Sequence, residues 1–372
     1  MKKLGFGLMR LPLTDKDNPA SIDLPLMEKM VDEFIANGFT YFDTAWMYCD
    51  GESENAVKTA LCQRHPRDSF TLADKLHARY LTCKEDRDKI FNTQLEKTGA
   101  GFFDYYLLHD IGAEHYKIFN KFDCFSWISE KKASGIVKKI GFSFHDNAAL
   151  LDEILSAHPE MDFVQLQINY LDWENDSIQS RLCYETARKH GKEIIVMEPV
   201  KGGTLANVPQ AVSDMFLSHN PDLSVPSWAI RFAAGLDGVF MVLSGMSNLE
   251  QLRDNMSYMQ EFKPLGDREV TMVHRAADII NGNIAIPCTG CEYCLSGCPK
   301  NIAIPKYFSL YNADLQEIKE KAWTPQEAYF ENLCSLFGSP SDCIACGKCE
   351  NICPQHIEII KELKKVAKHF GE

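Results

Sequence analysis

Val239-Phe240-Met241-Val242-Leu243-Ser244-Gly245-Met246 is apolar through its first half, without the alternation of a strand that shows one face to water. A run of this kind suits a strand buried on both faces, as in a parallel sheet covered by helices. Seven other short β-rich runs precede it, at residues 4–11, 40–44, 70–76, 103–109, 137–144, 163–169 and 193–200. Stretches with helical periodicity alternate with them, at residues 24–37, 52–64, 85–98, 116–134, 147–158, 176–190 and 249–260. The alternation reads as repeated βα units joined by loops of variable length.

Eight such units predict an α/β chain whose strands close into a (β/α)8 TIM barrel. The competing architecture is an open, doubly wound sheet. It usually has fewer strands and a glycine-rich phosphate turn after the first. Gly5-Phe6-Gly7-Leu8-Met9-Arg10 is not G-x-G-x-x-G, and no helical pattern follows it directly.

The chain has 372 residues, 45% of them hydrophobic and 24% charged, enough apolar material for a substantial core. A net charge of −13 disfavours a nucleic-acid surface. No stretch approaches the ~20 apolar residues of a membrane span, and the short apolar run after Met1-Lys2-Lys3-Leu4 is broken by Arg10 and Asp15 before a signal peptide could form. A cytoplasmic location is the expectation.

The character of the sequence changes near residue 283, where Asn281-Gly282-Asn283 ends the last helix of the barrel region. The expected domains are therefore 1–282 and 283–372. Five of the 14 cysteines (Cys49, Cys62, Cys83, Cys124 and Cys183) are scattered through the first part, as small hydrophobes in a reducing compartment would be. The other nine lie between 288 and 353. Eight of them form Cys288-x2-Cys291-x2-Cys294-x3-Cys298-Pro299 and Cys343-x2-Cys346-x2-Cys349-x3-Cys353-Pro354. This doubled spacing resembles the bacterial ferredoxin run, in which three cysteines hold one iron–sulfur cube and the fourth ligates the other. The resemblance implies one [4Fe–4S] cluster on Cys288, Cys291, Cys294 and Cys353, and a second on Cys343, Cys346, Cys349 and Cys298. Structural zinc is the alternative, but it takes four ligands, usually as two separated C-x2-C pairs, and fits two full quartets poorly. Cys334, outside both runs, reads as a core thiol. Helices are predicted at 306–321 and 325–337 between the runs, and a basic helix at 356–370 after them.

Four ionisable residues fall at or just after the C-terminal ends of consecutive predicted strands: Asp43, then Tyr48 in the following loop, Lys75 and His109. That end of a TIM barrel carries the active site. Any one alone would read as a rim residue; the set of four converging on one face carries the functional reading.

Tyr41-Phe42-Asp43-Thr44-Ala45-Trp46-Met47-Tyr48, with Gly51-Glu52-Ser53-Glu54 after it, resembles the signature of the aldo/keto reductase family. The resemblance covers most of residues 4–260 and implies a catalytic tetrad of Asp43, Tyr48, Lys75 and His109. In that chemistry a nicotinamide supplies hydride and the tyrosine supplies a proton to the carbonyl oxygen. Lys75 is expected to lower the Tyr48 pKa, Asp43 to hold Lys75, and His109 to orient the substrate. The family also implies cofactor contacts from Ser143 in Ile140-Gly141-Phe142-Ser143, from Gln165 in Val164-Gln165-Leu166-Gln167, from Met197 at the nicotinamide-stacking position, and from Ser244, Gly245, Ser247, Gln251 and Asn255 in the turn and helix after the eighth strand. Phe144, Met197 and Ser247 depart from the family pattern. Ser247 stands where a basic residue would grip a 2′-phosphate, so NADP and NAD both stay open. Lys201-Gly202-Gly203 is either a phosphate-binding turn or a solvated loop.

Hydride transfer moves two electrons together, whereas each cube moves one. A flavin would bridge the two, and no motif announces FMN or FAD. The primary expectation is an NAD(P)H-dependent reductase of a small-molecule carbonyl, with clusters exchanging electrons with a ferredoxin or flavodoxin. The alternatives are clusters that only fix the C-terminal domain, a flavin-dependent reductase fed by the clusters, and an electron-transfer or redox-sensing protein whose barrel reduces no carbonyl. Trp46, Met47 and Trp173 are candidates for an apolar substrate wall, with rim packing as the other reading.

Overall fold

The eight strands pair in chain order and close on themselves, all parallel: β1 Leu4–Gly7, β2 Tyr41–Asp43, β3 Thr71–His77, β4 Phe103–Ile111, β5 Val137–Phe144, β6 Phe163–Gln167, β7 Glu193–Met197 and β8 Val239–Gly245. The computed structural model describes residues 2–282, 285–288, 290–317, 323–353 and 355–372. Register brings the strand ends to one rim: Gly7 pairs with Asp43 and Gly245, His77 with His109, Ser143 with Gln165, and Gln167 with Met197. Inside the ring, Tyr41, Tyr105, Phe163, Ile195 and Met241 pack as a closed core. A larger apolar layer joins the strands to the surrounding helices. The strands are thus buried on both faces, as the unbroken apolar runs require.

Polar side chains set several helix starts. Asp23 accepts the Leu26 N–H, Asn147 those of Ala149 and Leu150, and Asn248 that of Gln251. The structure divides two of the expected helices. Residues 116–134 form Ala113–Lys121 and Cys124–Ala133, separated where Asp123 turns left-handed at φ 57°. Residues 52–64 form a short helix, Ser53–Val57, running into a wider turn at Lys58–Cys62. The helix expected from 176 begins at Ser180. Two helices not expected, Gln210–His219 and Val225–Gly235, lie between β7 and β8, and Asp267–Asn281 follows the barrel.

The cysteine-rich segment contributes Ile304–Leu315, Pro325–Leu336, the short Lys348–Ile352 and the basic Ile359–His369. Their apolar faces make a second core around Tyr307, Phe308, Leu310, Phe330, Leu363 and Val366. The boundary expected at 283, the last residues of the helix expected over 306–321, and Pro354 lie outside the described residues.

This second core sits on the loops that follow β5, β6 and β7. Ile178 of the β6 loop is part of it. Ser177 Oγ donates to Lys306 O at 2.7 Å, Ser309 Oγ to Asn175 Oδ1 at 3.0 Å, Thr204 Oγ1 to Gln316 O at 2.7 Å, and Asn332 Nδ2 to His145 O at 2.9 Å. Tyr329 packs edge-on against His145, with ring centroids 5.6 Å apart. Gly112 makes room for this seat: a Cβ there would lie 2.1 Å from Asn332 Nδ2. Gly112→Ala therefore has to push Asn332 off His145, at a cost on the order of 1–3 kcal/mol. The expected outcome is a lower Tm and faster limited proteolysis of the C-terminal segment, with barrel circular dichroism retained; an unchanged cleavage rate would reject this seat as the anchor.

Candidate active site and cluster cavities

Lys75 projects from β3 into the rim with its side chain 0% exposed, 2.6 Å from Asp43 Oδ1. Its ammonium also donates to Thr44 O at 2.7 Å and reaches the Tyr48 hydroxyl at 3.4 Å. Tyr48 owes its position to a sharp loop: Cys49, Asp50 and Gly51 all have positive φ, at 53°, 52° and 87°. His109 completes the group, its ring 5.9 Å from that of Tyr48. The four predicted catalytic side chains are thus brought together.

Their electrostatics differ from the expectation at one point. Desolvation pushes the Tyr48 phenol up to about 12; Lys75 works against this without reversing it. Tyr48 is therefore a protonated donor throughout the neutral range, not a phenol of lowered pKa. Burial pulls the Lys75 pKa down, but Asp43, with Tyr48 and Asp74, more than offsets it and holds the ammonium above its ordinary value. Burial, then Lys75, drives His109 well below the usual imidazole range. His109 Nδ1 is buried with no hydrogen-bond partner among the described residues.

A second layer fixes β3 from outside, and the sequence reading missed it. Gln94 Nε2 donates to Glu54 Oε1 at 2.9 Å, Asp74 Oδ1 at 2.9 Å and Lys75 O at 3.0 Å, while its own oxygen accepts the Tyr106 hydroxyl. Burial and the neighbouring Glu54 raise Asp74 well above the carboxylate range. The acidic residues after the signature, and the Asp beside Lys75, were the available signals.

Another group missed from sequence surrounds Asp110, which has φ 59°. Its N–H donates to Ser143 Oγ at 2.8 Å. His77, Asp110 and His115 each place a potential metal-ligand atom within 4.8 Å of the others. However, His77 Nδ1 accepts the Arg79 N–H at 3.0 Å and His115 Nδ1 bonds to Asp110 O. An accepting Nδ1 puts the His77 proton on Nε2, which lies 3.5 Å from Asp110 Oδ2, so this imidazole stands as a hydrogen-bond partner of the aspartate and not as a free ligand.

The predicted cofactor residues lie along the rim from β5 to β8. Ser143 accepts from Asp110 and keeps its own proton to donate. Gln165 Nε2 contacts the Met197 sulfur at 3.5 Å, and Gln165 Oε1 is buried without a partner among the described residues. A carboxamide N–H would satisfy that oxygen. At the end of β8, Gly245 is exposed, and Ser247 just beyond it donates to Arg10 O while its N–H bonds to Gln251 Oε1. Asn255 is anchored from below, donating to Ser244 Oγ at 2.9 Å and accepting from Tyr258.

The turn after β7 is not a solvated loop. Lys201 is fully buried, 2.8 Å from Asp172 Oδ1, and Asp172 also accepts from Gln167 and Asn169. The turn is left-handed at Glu198, Lys201, Gly202 and Gly203. Glu198 binds its own Gly202 N–H at 2.6 Å and pairs with Arg10 at 3.2 Å.

In the C-terminal segment, the predicted cysteines of each quartet share a cavity. One is lined by Cys288, Cys291, Cys294 and Cys353; the other by Cys298, Cys343, Cys346 and Cys349. Each thus takes three cysteines from one run and the fourth from the other.

Residues 3–278 match the aldo/keto reductase family, and residues 287–358 match a 4Fe-4S dicluster domain. The chain belongs to the aldo/keto reductase family, a family of NAD(P)-dependent oxidoreductases, and carries an iron–sulfur segment after the barrel. It is similar to the uncharacterised oxidoreductase YqkF of Bacillus subtilis, 24% identical over 286 residues that cover 69% of this chain and 86% of that protein. Among solved structures, an aldo-keto reductase from Bacillus halodurans in its holo form is 22% identical, with a TM-score of 0.57, over 74% of this chain and 91% of its own. One from Klebsiella pneumoniae in complex with NADPH is 18% identical, with a TM-score of 0.57, over 73% and 90%. These structures share the barrel fold. No helix among the described residues is long and apolar enough to cross a membrane.

Burial lowers the pKa of His77, His109 and His145 in the folded chain. Unfolded, each takes a proton near ~6.5. The unfolded state thus binds more protons as pH falls through that value, and stability is lost on acidification. Tm is expected to fall between pH 7 and pH 5, and less steeply in His145→Gln; a variant with the same slope as the parent would show that His145 contributes nothing to this loss.

Proposed function

We propose that the barrel reduces the carbonyl group of a small molecule, and that the C-terminal segment carries two [4Fe–4S] clusters that pass single electrons. The observation that carries the first part is the buried line from Asp43 through the Lys75 ammonium to the Tyr48 hydroxyl, with the neutral His109 beside it. Reduced NADPH or NADH supplies the hydride. The unpaired Gln165 Oε1 and the free Ser143 proton fit its carboxamide, with Met197 beside them. Gly245, Ser247 and Gln251, in the turn and helix start at the end of β8, would hold the dinucleotide. Ser244 and Asn255 support that turn from beneath.

Tyr48 holds the proton destined for the carbonyl oxygen. Its pKa suits donation only if the developing phenolate is stabilised, and Lys75 is placed to do that as charge appears. Asp43 keeps Lys75 charged. His109, neutral and with an unpaired nitrogen, orients the substrate oxygen beside Tyr48.

The cluster part rests on the two crossed cysteine cavities. Each quartet supplies four thiolates to one cube, and the cubes carry one-electron transfer.

Anaerobically reconstituted protein should oxidise NADPH or NADH with small aldehydes or ketones. Tyr48→Phe should lower kcat by a factor of about 10²–10⁴, the range set by removing a general acid. No turnover of the parent across a broad carbonyl panel would refute the reductase reading. Independently, about eight irons per chain are expected, four per cube. Cys298→Ala should damage the cluster of Cys343, Cys346 and Cys349 and spare the one next to it in sequence. EPR and iron counts that instead show loss of the Cys288 cluster would refute the crossed assignment.

A further inference from the structure

The two cysteine cavities face different surroundings. The one lined by Cys288, Cys291, Cys294 and Cys353 is also lined by Pro305 and Phe308, and it lies on the barrel side. Between those two residues, Lys306 O accepts the Ser177 hydroxyl of the β6 loop. Gly290 packs so closely on that loop that a Cβ would lie 2.9 Å from Asp176 Oδ2. The cavity of Cys298, Cys343, Cys346 and Cys349 is lined instead by Lys300, Ile344, Ile360 and Leu363, with Cys346 exposed. Ile304 lines both and stands between them.

The outer face of this second cavity has an unusual composition. Ile344 is 58% exposed and Ile352, on the same short helix as Lys348 and Cys349, is 51% exposed. Isolated exposed apolar residues are ordinary, but these two lie beside a cysteine quartet and among lysines. Lys348 and Lys364 are exposed, and neither has an ion pair among the described residues. Lys364 is one helical turn beyond Ile360, which lines the cavity. The acidic groups on these segments are engaged: Asp342 accepts the Ser339 N–H at 3.0 Å, Glu350 that of Ile360 at 2.9 Å, and Glu358 and Glu362 pair with Lys361 and Lys365. A chain of net charge −13 thus presents unpaired lysines around an apolar centre at this cavity.

We infer that an acidic one-electron carrier protein docks on the face formed by Ile344, Ile352, Lys348 and Lys364, and that electrons enter the chain through the Cys298/Cys343/Cys346/Cys349 cluster. The inference rests on the proposed cluster assignment and adds the entry point and the partner's charge. Transient electron-transfer interfaces are small, with charge steering the encounter and a few apolar contacts at the centre. The step balances simply. The carrier loses one electron, the outer cube goes from the 2+ to the 1+ state, and no proton or bond changes hands. From there the electron would pass Ile304 to a cube held by Cys288, Cys291, Cys294 and Cys353, whose cavity lies on the barrel side.

The test uses full-length, cluster-loaded protein and a purified acidic bacterial ferredoxin, reduced beforehand and mixed by stopped flow. The double variant Lys348→Glu/Lys364→Glu should lower the second-order rate at low salt by about tenfold or more, and flatten its salt dependence. Its iron content and its reduction by dithionite should match the parent. Lys117→Glu, on the barrel surface, should leave the rate unchanged. A double variant as fast as the parent with iron intact would overturn the inference, as would an equal loss in Lys117→Glu. Parent protein without cluster iron would overturn the cluster assignment and this inference with it, whereas intact iron with no salt-sensitive reaction would overturn the inference alone.

Discussion

A lysine ammonium with no exposure to water is the constraint around which the barrel mouth is organised. Desolvating such a charge costs several kcal/mol unless it is paired and hydrogen-bonded. Lys75 meets the requirement with Asp43 and Thr44 O, and its remaining contact is the Tyr48 hydroxyl. The geometry depends on the register of β2 against β3, where Asp43 pairs with Ala73 and leaves Lys75 one pleat further on. A slip of one residue would turn Lys75 out of the ring. The Gln94 network holds that register from outside by gripping Lys75 O, Asp74 and Glu54 together. The pair, the loop to Tyr48 and the network behind β3 therefore form one device, and weakening any part of it displaces the Tyr48 hydroxyl.

The barrel was legible because its physical requirement repeats. All eight strands fall within or across the eight apolar runs, since a strand covered on both faces has to be apolar throughout. Helices were less legible where local backbone overrode periodicity. Asp123 breaks a continuous pattern with one left-handed residue, and the pattern alone cannot reveal that. The four rim residues were legible because charge at the ends of adjacent apolar strands is costly to bury and seldom gathers there without a use. Their electrostatic outcome was not. The Tyr48 pKa reflects a contest between desolvation and Lys75, and sequence spacing says nothing of how dry the site is. The Asp172–Lys201 pair was missed for the same reason: its lysine stands beside two glycines, and only the fold reveals that the turn is buried.

The C-terminal segment does more than append a second unit. Its contacts fall on the loops after β5, β6 and β7, where a barrel of this kind shapes its mouth. Tyr329 reaches His145 and is buried among groups that include Asp110, Asp146 and Asp172. One wall of the rim is thus built from a residue outside the barrel, and the two units share a boundary at the face that carries the tetrad.

The crossed cavities also bear on how the molecule comes into being. The cavity of Cys288, Cys291 and Cys294 is incomplete until Cys353 has been made and folded back onto it. During synthesis, Cys288, Cys291 and Cys294 leave the ribosome before the fourth member of their quartet, while the residues of all eight barrel strands have already been made. The chain therefore passes through a stage in which every barrel strand has been made and three thiols still await their fourth. The order of the amino-acid sequence makes insertion of the metal centres a late event in the life of the polypeptide.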